Sequence, residues 1–195
     1  MCLNGKIGVS GAAESGHCAI DAAEKAEQVG REIAKIGSVL VTGATTGMPY
    51  WAAKGAKEEG GMVIGLSPAA SKIAHVKTYH LPLDYHDLVI YTGFDYSGRN
   101  LLLTRSVDAV IVICGRIGTL NEFTIAFEDK KPIGILQGEW ETDQVIKIII
   151  EKGHRPNERI IYDSDPRALV ERVIELVEKE KQEYRYLYEY NKVIK

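Results

Sequence analysis

The chain lacks a cysteine framework. Its 195 residues include three cysteines, Cys2, Cys18 and Cys114, an odd number with no Cys-x-x-Cys spacing. That usage fits a reducing compartment better than a disulfide-stapled secreted scaffold. Basic charge is not in excess either: 24 lysines and arginines face 27 acidic residues, a formal net charge of -3. No broad positive field exists to attract duplex nucleic acid, although helix N-termini and backbone amides can hold a small phosphate without one. No stretch approaches the ~18 apolar residues of a membrane span, and Met1 to Gly5 shows no basic segment leading into an apolar one. Neither membrane insertion nor secretion is expected, and the expected location is the cytoplasm. The Gly-Lys-Ser/Thr ending of a P-loop is missing, as is the Gly-x-Gly-x-x-Gly fingerprint after the first predicted strand. The second predicted strand ends in Val41-Thr42-Gly43, with no acidic residue to receive a ribose hydroxyl, which disfavours a nicotinamide dinucleotide.

What is present is an ordinary globular composition, 45% hydrophobic and 26% charged, with 19 glycines. Apolar, β-branched runs alternate with amphipathic stretches. Strands are expected at 7–10, 39–42, 62–66, 88–92, 109–113, 133–136 and 160–162, and helices at 19–35, 49–59, 98–106, 120–129, 142–152 and 166 to about 188. The first helix places Ala19, Ala23, Ala26, Val29 or Gly30, Ile33 and Ile36 on one stripe, and Gly37 is its expected C-terminal cap. Pro49 and Pro166 suit first helical positions, and Thr119 and Asp165 suit N-caps. This order predicts an α/β fold: one Rossmann-like, doubly wound domain over 1–195, its mostly parallel sheet of about seven strands covered by helices on both faces, with a C-terminal helix or tail from about 165.

Such sheets bind ligands beyond the carboxyl ends of their strands. Four glycine-bearing loops fall there: Ser10-Gly11-Ala12 after the first strand, Gly43 to Met48 after the second, Gly93 to Arg99 after the fourth, and Cys114 to Thr119 after the fifth. Gly43, Thr45, Thr46 and Gly47 have the spacing to wrap amides around an anion, or to make a tight strand-to-helix turn. Thr119 and Glu122 have the spacing of a capping box. The same position sets Glu122 facing a ligand whose phosphate meets the amides of Gly115, Arg116, Ile117, Gly118 and Thr119. With the fourth and fifth strands taken as neighbours, Arg99 reaches the same crevice, either to bind a phosphate or to pair with Glu122.

Two motifs resemble a known family, the proteins long labelled possible lysine decarboxylases. That family includes the Lonely Guy (LOG) cytokinin-activating phosphoribohydrolases and, more distantly, molybdenum cofactor carrier proteins. The Gly-Gly-x-x-Gly-x-Met stretch of the family is similar to Thr42-Gly43-Ala44-Thr45-Thr46-Gly47-Met48, and Pro-Gly-Gly-x-Gly-Thr-x-x-Glu is similar to Cys114-Gly115-Arg116-Ile117-Gly118-Thr119-Leu120-Asn121-Glu122. The resemblance implies a Rossmann-like fold with Arg99 and Glu122 as catalytic residues. Its departures are Thr42 and Arg116 where glycine is usual, Cys114 where proline is usual, and Asn100 in place of the lysine after the arginine.

The implied activity is hydrolysis of the N-glycosidic bond of a nucleoside monophosphate, with Glu122 stabilising an oxocarbenium-like sugar and activating water. The alternative is a non-catalytic molybdopterin carrier. Pyridoxal chemistry is not expected, so lysine decarboxylation is set aside. No cofactor is required, a nucleotide or molybdopterin is the expected ligand, and no metal is assigned. His75, His80 and His86 with Asp84 and Asp87 form a polar segment whose spacing matches no known metal site, and Cys114 reads as a small buried hydrophobe. Tyr184, Tyr186, Tyr188 and Tyr190 alternate at period two, at odds with a helix and suggestive of a strand-like tail or a contact between copies. A homo-oligomer, dimer or tetramer, is expected.

Overall fold

The computed structural model describes residues 5–156 and 158–193, with side chains described up to 183 and at 186. Seven strands, β1 (Lys6–Ser10), β2 (Val39–Thr42), β3 (Val63–Ser67), β4 (Leu88–Tyr91), β5 (Ala109–Val112), β6 (Ile133–Leu136) and β7 (Ile160–Asp163), form one parallel sheet in the order β4-β3-β2-β1-β5-β6-β7. The helices are α1 (Ala22–Lys35), α2 (Met48–Glu58), α3 (Lys72–Lys77), α4 (Asp95–Ser106), α5 (Ile117–Glu128), α6 (Thr142–Lys152) and α7 (Pro166–Val193). The α/β, doubly wound expectation holds, and every strand in the sheet runs parallel.

The central strands are buried on both faces. In β5, Ala109 and Ile111 point into the core beneath α1, α2 and α7, while Val110 and Val112 point into the core beneath α4, α5 and α6. That is the period-two division of a strand covered on both sides. The buried stripe of α1 is Ala22, Ala26, Val29, Gly30 and Ile33, one position off the expected Ala23 at its start, because the helix begins at Ala22 and not Ala19. Gly37 has φ 73°, the left-handed geometry of the predicted cap. Two other glycines let α1 and α2 touch backbone to backbone: a Cβ on Gly30 would lie 1.9 Å from Ala52 O, and one on Gly55 would lie 2.0 Å from Glu27 O.

Several sequence expectations need correction. β4 is an edge strand bonded to β3, and β5 lies between β1 and β6, so the fourth and fifth strands are not neighbours. The α4 helix spans the gap, packing over β3 and β1 and against α5. Both α4 and α5 start earlier than predicted. Asp95 opens α4 with φ 55°, its Oδ1 accepting from Tyr96 N at 2.9 Å, and α5 begins at Ile117 with Arg116 as its N-cap residue. Thr119 and Glu122 are therefore internal to α5 and form no capping box. The short α3 was not anticipated. Asp165 does cap α7, accepting from Ala168 N at 2.7 Å. That helix continues to Val193, so the tyrosine segment is helical and not strand-like; the side chains of Tyr184, Tyr188 and Tyr190 lie outside the described residues. Among the described residues no helix is long and apolar enough to cross a membrane.

Candidate functional site

In this strand order the winding direction reverses between β1 and β5, and the crevice opens there, as the rule for doubly wound sheets requires. Its volume is about 180 Å³. The β1 loop contributes Gly11 and Ala12, the β2 loop Gly43 and Thr45, α4 contributes Arg99 and Asn100, and the start of α5 contributes Arg116, Gly118, Thr119 and Glu122. Tyr96 and Pro49 also line it, beyond the residues that the sequence motifs mark. Tyr96 lies in the first turn of α4, ahead of the Gly98 start that the sequence predicts; its ring lies 5.9 Å from the Arg99 guanidinium carbon.

Arg99 and Glu122 meet here through packed helices rather than adjacent strands. Arg99 is 6% exposed, and its Nε has no hydrogen-bond partner. It sits against Gly43 so tightly that a Cβ there would lie 1.4 Å from Nη1. Burial works against the guanidinium charge, with Glu122 and Tyr96 opposing that effect. Glu122 is 7% exposed and accepts a hydrogen bond from Ser10 Oγ through Oε2. With its amide turned to suit its neighbours, Asn100 Nδ2 donates to Glu122 Oε1 at 3.0 Å and to Tyr96 O at 3.0 Å. Burial is the largest influence on the Glu122 carboxyl and pushes it above the ordinary carboxylate range, against the pull of Arg99 and the Ser10 hydrogen bond. The floor of the crevice thus sets a buried cation beside a buried carboxyl, next to the opening turn of α5. The first amides of that helix have no intrahelical partner, so the arrangement favours an anion.

The remaining predicted residues divide into lining and support. Ser10 is buried and spent on Glu122. Ala12 N donates to Cys114 O at 2.8 Å, and Met48 N donates to Ala12 O at 2.9 Å, so these amides tie the loops after β1, β2 and β5 together instead of facing a ligand. Gly47, at φ 73°, leaves no room for a Cβ, which would lie 2.0 Å from Ala12 O. Thr46 Oγ1 donates to Ala13 O at 2.9 Å. Gly115 N is taken by Thr142 Oγ1 at 2.8 Å, which removes the first of the amides expected to face a phosphate. Ile117 is 79% exposed and borders a neighbouring groove of about 610 Å³. That groove shares Arg116 with the crevice, and Arg116 pairs with Glu14 at 3.0 Å.

Thr42, the other departure from glycine, does not intrude. Its Oγ1 lies 2.8 Å from His86 Nε2 and accepts from Ala44 N at 3.1 Å. The histidine segment is likewise engaged elsewhere: His75 bonds Ser67 Oγ and Pro82 O, each at 2.8 Å, and Asp87 pairs with Lys57 at 2.7 Å. Cys114 is buried in the apolar core, as its reading as a small buried hydrophobe expects, but its sulfur is not free: it is joined to Cys18 in a disulfide with a Cα–Cα separation of 5.8 Å. A sequence separation of 96 residues hid this pair. Only the crossing of the β1 and β5 loops brings it together.

Fold and site together define a Rossmann-like protein with a small anion-favouring crevice at its switch point. Residues 4–170 match the SLOG cluster4 family, and the chain belongs to that family. An uncharacterized protein of Archaeoglobus fulgidus is 33% identical over 132 residues, covering 68% of this chain and 80% of its own. The molybdenum cofactor binding protein of Rippkaea orientalis superposes with TM-score 0.69 at 28% identity, over 89% of this chain and 95% of the other. The molybdenum cofactor carrier protein of Chlamydomonas reinhardtii gives 0.71 at 26%, over 88% and 97%. DNA processing protein A of Helicobacter pylori, a single-stranded DNA binder, gives 0.64 at 18%, over 87% and 80%, a likeness of fold alone.

Proposed function

We propose that this chain is a binding or carrier protein for a phosphorylated small molecule of the molybdopterin class. The observation that carries the reading is Arg99: a buried guanidinium with an unpartnered Nε, lining a small crevice beside the opening turn of α5. Such a floor accepts an anion. Arg99, the opening amides of α5 and Arg116 are the groups to hold a phosphate. A crevice of about 180 Å³ is smaller than the ~300–1,000 Å³ of pockets that enclose a whole ligand. It suits the phosphate end, with the ligand body extending past Arg116 into the larger groove. The solved molybdenum cofactor proteins that share the fold support this class of ligand.

A second reading, hydrolysis of a nucleoside monophosphate at its N-glycosidic bond, is favoured by the convergence of Arg99 and Glu122. It uses the Glu122 carboxylate to stabilise a developing cation and activate water. Mass spectrometry of the ligand that co-purifies, followed by calorimetric titration with that ligand and with AMP, separates the two. The carrier reading expects a phosphorylated pterin, at least 100-fold weaker binding in Arg99→Leu, binding within about threefold of wild type in Glu122→Gln, and no free base from AMP. Release of adenine and ribose phosphate that falls by orders of magnitude in Glu122→Gln establishes the hydrolase instead. Absence of any anionic ligand at millimolar concentration removes both.

A further inference from the structure

Beside the crevice, the imidazole of His17 faces both sulfurs of the Cys18–Cys114 pair. His17 Nε2 lies 3.6 Å from Cys114 Sγ and 3.9 Å from Cys18 Sγ. All three potential ligand atoms fall within 4.8 Å of one another. For a tetrahedral zinc with Zn–S near 2.3 Å and Zn–N near 2.05 Å, the nitrogen-to-sulfur edges are about 3.6 Å and the sulfur-to-sulfur edge about 3.8 Å. The distance to Cys114 matches this edge and the distance to Cys18 is slightly longer. The remaining edge requires the S–S bond to open and the sulfurs to part by about 2 Å.

The surrounding structure allows that movement. Cys18 lies on the irregular connection between β1 and α1, where no helix or strand holds it. Cys114 is anchored in the core just beyond β5, with Trp140 in the same apolar cluster. Burial is graded across the set, His17 exposed, Cys18 intermediate and Cys114 buried, so an ion approaches from the His17 side. His17 also borders the groove of about 610 Å³ that shares Arg116 with the crevice.

We infer that, with the disulfide reduced, His17, Cys18 and Cys114 form a three-ligand site for a thiophilic d¹⁰ cation, zinc above all. The fourth position is left to water or to an anionic group of a ligand in the groove. Imidazole and thiolate together suit zinc or copper(I), and three protein ligands with one open position are the composition of a zinc site that exchanges a ligand. A dithiol supplies the two electrons and two protons that turn the disulfide into two thiols, and itself becomes a disulfide. Zinc then displaces both thiol protons. The disulfide and the metal exclude each other, so occupancy follows the redox state of the pair.

The test uses the full-length chain, reduced with dithiothreitol that is then removed under nitrogen, and titrated with Co²⁺ as a spectroscopic probe. One equivalent is expected to produce thiolate-to-cobalt charge-transfer bands with intense tetrahedral d–d bands, all abolished by one equivalent of Zn²⁺. The disulfide form should show none of them. Cys18→Ser, at the margin of the core, and His17→Ala, at an exposed position, should each weaken Zn²⁺ binding at least 100-fold in a competition assay with a chromogenic chelator. Cys2→Ser should leave it unchanged. A reduced chain without the bands, bands that persist in Cys18→Ser, zinc affinity unaltered in His17→Ala, or loss of the bands in Cys2→Ser would each overturn the site.

Discussion

At the residue scale the crevice depends on glycine at position 43. A Cβ there would meet Arg99 Nη1 at 1.4 Å, and the guanidinium is the one neighbour that can yield. Gly43→Ala is therefore expected to turn Arg99 out of the crevice and weaken phosphate-ligand binding by about 10-fold or more, with little change in the unfolding midpoint. Calorimetry alongside denaturant titration checks both halves. Glu122 carries a second prediction. Burial raises its carboxyl above the ordinary value of 4.5, so the folded chain holds a proton that the unfolded chain releases. The stability Glu122 contributes is complete below that ordinary value and is lost as pH rises through the raised one. Glu122→Gln cannot ionise. The stability of the variant relative to wild type should therefore increase from pH 4.5 upward and level off above the native carboxyl's titration. Because His86, whose protonation is disfavoured by burial, is common to both proteins, its effect cancels in the difference. A constant difference across this range would show that Glu122 titrates normally.

At the element scale the closest packing lies between α1 and α2, and its glycines reverse the usual rule for helices. Replacing a helical glycine by alanine on an open surface gains roughly 1 kcal/mol of propensity. At Gly30 the new Cβ would lie 1.9 Å from Ala52 O and 2.7 Å from Ala52 C, rigid backbone atoms of the partner helix. Overpacking of this kind costs about 1–3 kcal/mol or more. Sterics outweigh propensity, and Gly30→Ala should lower stability by about 2 kcal/mol net in urea titration. Gly60, at φ 72° with nothing near its Cβ position, is a control of the other kind, where only backbone strain opposes the change. The starts of α4 and α5 matter more for function. Each begins three residues ahead of its sequence-based boundary, which brings Tyr96 into the crevice wall and sets the first turn of α5 along it.

At the scale of the molecule the sheet is covered unevenly. In register, Leu88 lies beside Ile64 and Ile90 beside Leu66, so all four share the face that α4 covers. The packing of α4 reaches β3 and β1, and on the edge strand Leu88 and Ile90 remain 54% and 46% exposed. Phe94, at the N-terminus of α4, is 66% exposed. An apolar strip beside an unpaired parallel edge is the surface a second copy would bury. Light scattering should give at least twice the chain mass of 21.6 kDa, and the pair Leu88→Asp with Ile90→Asp should reduce it to a single chain without loss of helical signal. A monomeric wild type would rule this contact out.

The alternation of β-branched runs with amphipathic stretches was enough to determine the seven strands and the α/β class, because burial on both faces imposes a local pattern on each strand. The glycine loops were legible for a similar reason: Gly37 and Gly47 occupy left-handed backbone that side chains disfavour. The boundaries of α4 and α5 were not legible, since Asp95 with positive φ and an N-cap at Arg116 run against local preference and are held in place by packing. Strand order was decided only in three dimensions. Sequence neighbours β4 and β5 are parted by β3, β2 and β1, and Arg99 reaches Glu122 because α4 crosses the sheet to lie on α5. The pairing of Cys18 with Cys114, like the meeting of both with His17, was likewise settled by the fold. A contact across 96 residues leaves no periodic trace in the chain, because it depends on where two loops end and not on what lies between them.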